Sequence, residues 1–294
     1  GMVTLDLGAT SYDFGNNFES QLSLRTDGLK TGIEIADEVS QGLLSFQGNI
    51  KKKVDGAIRL TASKLTLPIG SLAMNANLKS DKKFMANWTL DIPRLADLSE
   101  PLKQDLRGDL VLKGRAFGPM QSPRLFINAV ANNLGFGETE IRNLKLNTDV
   151  RNIAKAPMGS IDLKANLLGE SGVFTTDFSL NQRKDQLKLK RINLEALNTS
   201  LAGDLEVFLK RNLIEGYLKG EIENFNRISQ LIKKDLSGSV DFNFSLYRDK
   251  GQSARFMIAA KDIELNDEVK ASLKRVKVSG TVSDALQKPV IKAK

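Results

Sequence analysis

The sequence predicts an all-β fold, and three observations carry that prediction. Apolar and polar residues alternate with a period of two from one end of the chain to the other, as half-buried strands require. Short clusters of Gly, Asn, Asp and Lys interrupt the alternation, as hairpin turns require. No apolar run is long enough to cross a bilayer as a helix. The 294 residues are 41% apolar and 27% charged, which fits a folded chain rather than a disordered one.

Taken in order, the strands announce themselves by their apolar partners. Val54, Ile58 and Leu60 alternate in "VDGAIRL", Leu65, Leu67 and Ile69 in "LTLPI", and Leu110 and Leu112 in "GDLVLKG". Leu144, Leu146 and Val150 follow in "LKLNTDV", Ile161, Leu163 and Leu167 in "SIDLKANLL", and Leu205, Val207 and Leu209 in "DLEVFLK". Val240, Phe242, Phe244 and Leu246 point one way from "DLSGSVDFNFSLYRD" while Asp241, Asn243 and Ser245 point the other, and "RVKVSGTV" closes the series with Val276, Val278 and Val282. The segments "SDKK" (80–83), "GFGET" (135–139), "NQRKD" (181–185) and "RDKGQ" (248–252) are turns between them.

Two segments break the period. In "DIPRLADLSEPLKQDLRG", Leu95, Leu98, Leu102 and Leu106 recur at helical spacing, which predicts a short helix near 94–106 with Ser99 as N-cap and Gly108 ending the element. "EIENFNRISQLIKKDLSG" repeats the pattern with Phe225, Ile228, Ile232 and Leu236, a helix near 224–236. At an offset of 130 residues the two superimpose without gaps, Ser99 on Ser229, Asp105 on Asp235 and Gly108 on Gly238. A weaker echo relates "GRAFGPMQSP" (114–123) to "GTVSDALQKP" (280–289). The chain therefore reads as an irregular repeat array: a first β segment over 1–90, a repeat unit over 91–220 and a second over 221–294, forming one continuous elongated structure.

Chemistry is thinly represented. The chain has no Cys and no His, which removes the commonest general base, the commonest transition-metal ligand and every Ser-His or Cys-His arrangement. "SDKK" matches S-x-x-K only on a hairpin, the four carboxylates of "DIELNDE" (262–268) lack calcium-loop spacing, and "GFGETE" lacks the dinucleotide glycine spacing. We expect no enzyme, no cofactor and no metal. The net charge of +8 falls mostly singly between apolar residues, as in "LKLKRINL", with "IKKKVDG" (50–56) the one dense cluster and no basic stripe with interleaved aromatics, so no nucleic-acid partner is expected. Gly1-Met2 reads as a cloning remnant ahead of an internal fragment.

The phrases "DLRGDLVLKGRAFGPMQSPRLFINAVANNL", "EIRNLKLNTDV", "GSIDLKANLLG", "TSLAGDLEV", "GYLKGEIENFNRISQL" and "GTVSDALQKPVIKAK" resemble, in order and number, the TamB family, the inner-membrane component of the bacterial translocation and assembly module, related to AsmA-like proteins. The resemblance implies a β-taco, a long antiparallel-type sheet curled into a half-pipe with an apolar concave face and a few short helices. It implies a periplasmic location in a Gram-negative bacterium, with an inner-membrane anchor and an Omp85-type outer-membrane barrel partner engaged through regions outside this fragment. The family's C-terminal conserved region, expected to meet the barrel, is not recognised here.

Beside the resemblance stands a physical expectation. About 20 strands at ~4.8 Å would stack to a sheet on the order of 100 Å long. An apolar trough of that kind shields acyl chains at roughly 0.8 kcal/mol per methylene. The expected partner is phospholipid, carried between the two membranes in support of outer-membrane biogenesis. The expected lining is Leu110, Leu112, Leu144, Leu146, Leu163, Leu205, Val207, Val240, Phe242 and Phe244. Two alternatives compete: a scaffold or chaperone that offers strand edges to outer-membrane barrel proteins during their assembly and secretion, and a pair of sandwiches whose apolar faces cover each other.

Overall fold

The computed structural model describes residues 3–11, 17–27, 43–249, 251–266, 270–284 and 289–294. The chain divides into two compact units, Gly1–Ala154 and Lys155–Lys294. The first holds β1 (Val3–Ser11), β2 (Phe18–Asp27), β3 (Leu43–Lys52), β4 (Ile58–Leu67), β5 (Gly70–Leu78), β6 (Lys83–Ile92), β7 (Leu106–Gly108), β8 (Leu110–Pro119), β9 (Arg124–Phe136) and β10 (Thr139–Arg151). The second holds β11 (Met158–Leu167), β12 (Glu170–Asn181), β13 (Gln186–Ala196), β14 (Thr199–Phe208), β15 (Leu213–Ile222), β16 (Leu236–Arg248), β17 (Gln252–Asn266), β18 (Lys270–Ser283) and β19 (Val290–Ala293).

Each unit is one open antiparallel sheet. In the first, β1 to β6 pair in sequence order, β8 lies between β6 and β9, β7 continues along β9, and β10 follows. In the second, β11 to β19 pair in strict sequence order. Hairpin connection after hairpin connection is what period-2 runs separated by short turns dictate. The turn Leu197–Asn198 takes φ of 52° and 57°, the two left-handed residues of a tight two-residue hairpin.

Single layers leave little interior. Among the described residues the buried apolar side chains are Leu44, Ile92, Leu95, Ala129, Ala131, Ile192 and Leu197. All the described strands of each unit lie in its one sheet, so within a unit no second sheet of described residues covers the first.

The two interruptions are shorter than the spacing of their leucines suggests. A 3-10 turn over Leu95–Leu98 leads into α1 (Ser99–Leu102), and α2 spans Asn226–Ile232. Both end at a lysine in the left-handed region, Lys103 and Lys233, each at φ 53°. Leu106 and Leu236, counted with the helical face in sequence, begin strands instead. Ser99 is not the N-cap, a position taken by Leu98 without a side-chain cap. Its hydroxyl turns to Leu106, accepting from the N–H at 3.0 Å and donating to the C=O at 3.1 Å. Ser229 makes the same pair of bonds to Leu236.

The repeat extends beyond the helices. Gly108 and Gly238 lie at φ +106° and +103°, and a Cβ there would sit 1.6 Å from the Asn133 carbonyl oxygen and 2.5 Å from that of Asp262. Upstream, β4 and β13 each carry one extra residue, Ala62 and Arg191, at φ 48° and 52°. Their N–H groups donate to Asn75 Oδ1 at 3.0 Å and Asp204 Oδ1 at 2.7 Å. Strands β4 to β9 and β13 to β17 are thus two copies of one plan. Ile69, expected in a strand, lies in the turn between β4 and β5 and is half-buried. Two further residues expected in strands lie in turns and are exposed, Val54 at 62% and Leu209 at 45%. Hydrogen bonds from Gly56 N–H to Lys53 C=O and from Arg211 N–H to Phe208 C=O close those turns.

Candidate functional site

Cross-strand register decides which side chains share a face, because directly paired residues point the same way. In the first unit Leu24, Phe46, Leu65, Leu72, Leu90, Leu112, Ala129 and Leu146 are paired one to the next, from β2 to β10. In the second, Leu163, Phe174, Leu194, Leu201, Gly220, Phe242, Ile258 and Val278 do the same from β11 to β18. Every member of these rows is apolar or glycine. Each unit therefore presents a predominantly apolar face with an unbroken apolar row across it, and its side chains are mostly half-buried, with polar residues such as Ser63, Thr148 and Thr176 set into it beside that row.

The ten residues expected to line a trough all fall on these faces. Leu112 and Leu146 belong to the first row, with Leu110 opposite Ile92 and Leu144 opposite Ala131. Leu163 and Phe242 belong to the second, with Leu205 opposite Leu189, Val207 opposite Leu187, Val240 opposite Ile222 and Phe244 opposite Leu218. Phe242 and Phe244 hold their rings 5.7 Å apart. Phe174, Leu194, Leu201, Ile258 and the β2–β6 part of the first row were not among the residues expected to line a trough, although the same alternation marks them and Leu65 was read as a strand residue.

Glycines keep the face thin where large rings lie across it. A Cβ on Gly114 would be 2.0 Å from the Trp88 indole, and one on Gly220 2.6 Å from Phe242 Cζ. The rings lie over neighbouring strands instead of standing upright, and lateral packing of this kind extends an apolar surface without a second layer. The bulges at Ala62 and Arg191 serve the same end: each inserts one residue, so that Leu60 and Leu65, or Leu189 and Ile192, face the same way despite their odd spacing.

The opposite faces are wet. Asp241, Asn243 and Ser245 are exposed between the half-buried Phe242 and Phe244. Lys188 pairs with Glu206 at 3.1 Å across β13 and β14. Arg124 forks onto Asp149 at 2.8 and 2.6 Å, and these bonds hold the Asp149 carboxyl below the ordinary carboxylate range. One aromatic cluster breaks the pattern on β8 and β9, where Phe117 stacks on Phe126 at 5.9 Å under the guanidinium groups of Arg115 and Arg124. Only hairpin pairing assembles it. Two open depressions of about 460 and 790 Å³ also lie mainly on the polar face of the second unit, lined by residues such as Lys219, Asp241, Arg255 and Lys292.

Open sheets with one wet face, one apolar face and a tandem plan define a groove-type β protein whose chemistry is a surface and not a pocket. The TamB N-terminal domain family model matches residues 17–259, more than four-fifths of the chain, and the chain belongs to the TamB family. A search of curated proteins and one of solved structures returned no match. No helix among the described residues is long and apolar enough to cross a membrane.

Proposed function

We propose that this chain is a non-catalytic, periplasmic segment of an envelope-spanning protein that shields phospholipid acyl chains on the apolar faces of its sheets. It supports lipid passage between the inner and outer membranes and so outer-membrane biogenesis. The observation that carries this reading is the row of apolar side chains that crosses β2 to β6 and β8 to β10 in the first sheet and β11 to β18 in the second, with no second sheet of described residues in either unit. An acyl tail laid along it would gain roughly 0.8 kcal/mol per methylene removed from water. The scaffold reading needs unpaired strand edges, and β2 to β6, β8, β9 and β12 to β18 have neighbours on both sides.

Purification without detergent followed by native mass spectrometry tests the proposal. Phe242→Asp and Leu146→Glu are expected to strip bound phospholipid while leaving the far-ultraviolet β signal intact. Asn243→Asp, one residue away on the wet face, is expected to leave lipid loading unchanged. Wild-type protein that carries no lipid even after incubation with phospholipid vesicles would sink the reading.

A further inference from the structure

The antiparallel order sends alternate turns to opposite ends of the strands, so each unit has two rims, and their charges differ. One rim of the first unit carries the turns 53–57 and 79–82, and with them the exposed Lys52, Lys53, Lys79 and Lys82. None of these four forms an ion pair among the described residues; the nearby Asp81 is engaged by Lys83 at 2.8 Å. The equivalent rim of the second unit carries the turns 182–185 and 209–212, with the exposed Arg183, Lys184, Lys210 and Arg211. Lys210 is held by Asp185 at 2.7 Å and the other three have no ion-pair partner among the described residues.

At the other end of the strands both signs occur together. Glu170, Glu195, Glu221 and Glu223 sit at the strand ends of the second unit, and Asp91 and Glu140 at those of the first. Arg227 pairs with Glu170 at 2.5 Å and Arg142 with Glu140 at 3.0 Å, and Arg94, Lys103 and Arg107 lie there too. The uncharged turn Pro68–Ile69 lies on that side too. The basic turns recur at matching places in both copies of the plan, so the asymmetry is a property of the repeat. Consecutive basic turns are two strands apart, about 10 Å, and long flexible lysines from both can meet on one phosphate between them.

We propose that the basic rim of each unit binds the phosphate of a phospholipid headgroup, holding it at the water boundary while the tails lie on the adjoining apolar face. This rests on the acyl-shielding reading above and adds to it a requirement for phosphate. Charge complementarity carries it: an apolar face alone takes any diacyl lipid, whereas a face bordered on one side by unpaired cations selects lipids with an anionic head.

Lipid-free protein is equilibrated with phosphatidylcholine vesicles containing a minor, equal share of phosphatidylglycerol and of diacylglycerol, then re-isolated, and its lipids are counted by mass spectrometry. Wild type is expected to enrich phosphatidylglycerol roughly tenfold over diacylglycerol. Replacing Lys52, Lys53, Lys79 and Lys82 by Gln, together with Arg183, Arg211 and Lys184 by Gln, is expected to abolish that preference with total lipid unchanged. A preference retained in this variant overturns the rim assignment and leaves acyl shielding intact. Wild type that takes up neither lipid overturns acyl shielding, and the rim proposal falls with it. Loss of the preference in millimolar inorganic phosphate marks a free-phosphate site, and rim-dependent capture of a single-stranded oligonucleotide without lipid discrimination marks a nucleic-acid surface; either result overturns the proposal.

Discussion

Ser99 and Ser229 show how one hydroxyl sets the end of a helix and the start of a strand. Each is both acceptor and donor to the same residue seven positions on, Leu106 or Leu236, so the chain is clasped into a closed loop before it re-enters the sheet. Alanine at Ser229 leaves a part-buried N–H and C=O without their partner. The expected cost is about 1–2 kcal/mol, read as a lowered urea midpoint with an unchanged slope. An unchanged midpoint would mean that water replaces the hydroxyl freely and that the clasp is incidental. The neighbouring glycine explains why the motif is D-L-x-G: a backbone at φ near +105° beside a carbonyl oxygen excludes any side chain, at Gly108 and Gly238 alike. Serine, leucine and glycine in this motif were visible at the 130-residue offset, but the hydroxyl's role was not, since N-cap and clasp both use a serine ahead of an apolar run.

At the scale of elements the alternation of apolar residues told most of the story, because a sheet with one wet face has no other way to be written. What it misjudged were places where two patterns share residues. Leucines at 95, 98, 102 and 106 continue helical spacing through the left-handed Lys103 into β7, so the helix looked longer than the four residues it has. Val54 and Leu209 continue strand alternation into turns closed by backbone hydrogen bonds. The bulges left a trace as well: Leu189 and Ile192 are three apart, an odd spacing that a straight strand cannot put on one face. At the equivalent bulge, Ala62 holds a left-handed φ of 48°, which costs an L-residue roughly 1–2 kcal/mol. Ala62→Gly is therefore expected to stabilise the protein by up to about 1 kcal/mol after the extra chain entropy of glycine, measured by chemical unfolding. A loss of stability would place the extra residue of β4 elsewhere.

At the scale of the whole chain, what sequence could not collect was charge. Lys53 and Lys79 are far apart along the chain, and Arg183 and Arg211 likewise; only the pairing of hairpins brings each set to one rim, so that beyond the cluster at 50–56 the net +8 looked evenly spread. The same single-layer architecture that leaves rims and faces open has a thermodynamic signature. Heat-capacity change on unfolding scales with apolar surface newly exposed, and a compact protein of 294 residues would show about 3.5–4.4 kcal/mol/K. Here Leu112, Leu146, Leu201 and Phe242 remain only half-buried in the folded state, so much of that surface is already wet. Scanning calorimetry of lipid-free protein is expected to give a value below about 3 kcal/mol/K. Loading with phospholipid should move it back toward the compact range, because the tails then cover the faces that unfolding exposes. A lipid-free value already in the compact range would mean that the apolar faces cover one another in solution, and neither acyl shielding nor a phosphate-binding rim would then have a surface on which to work.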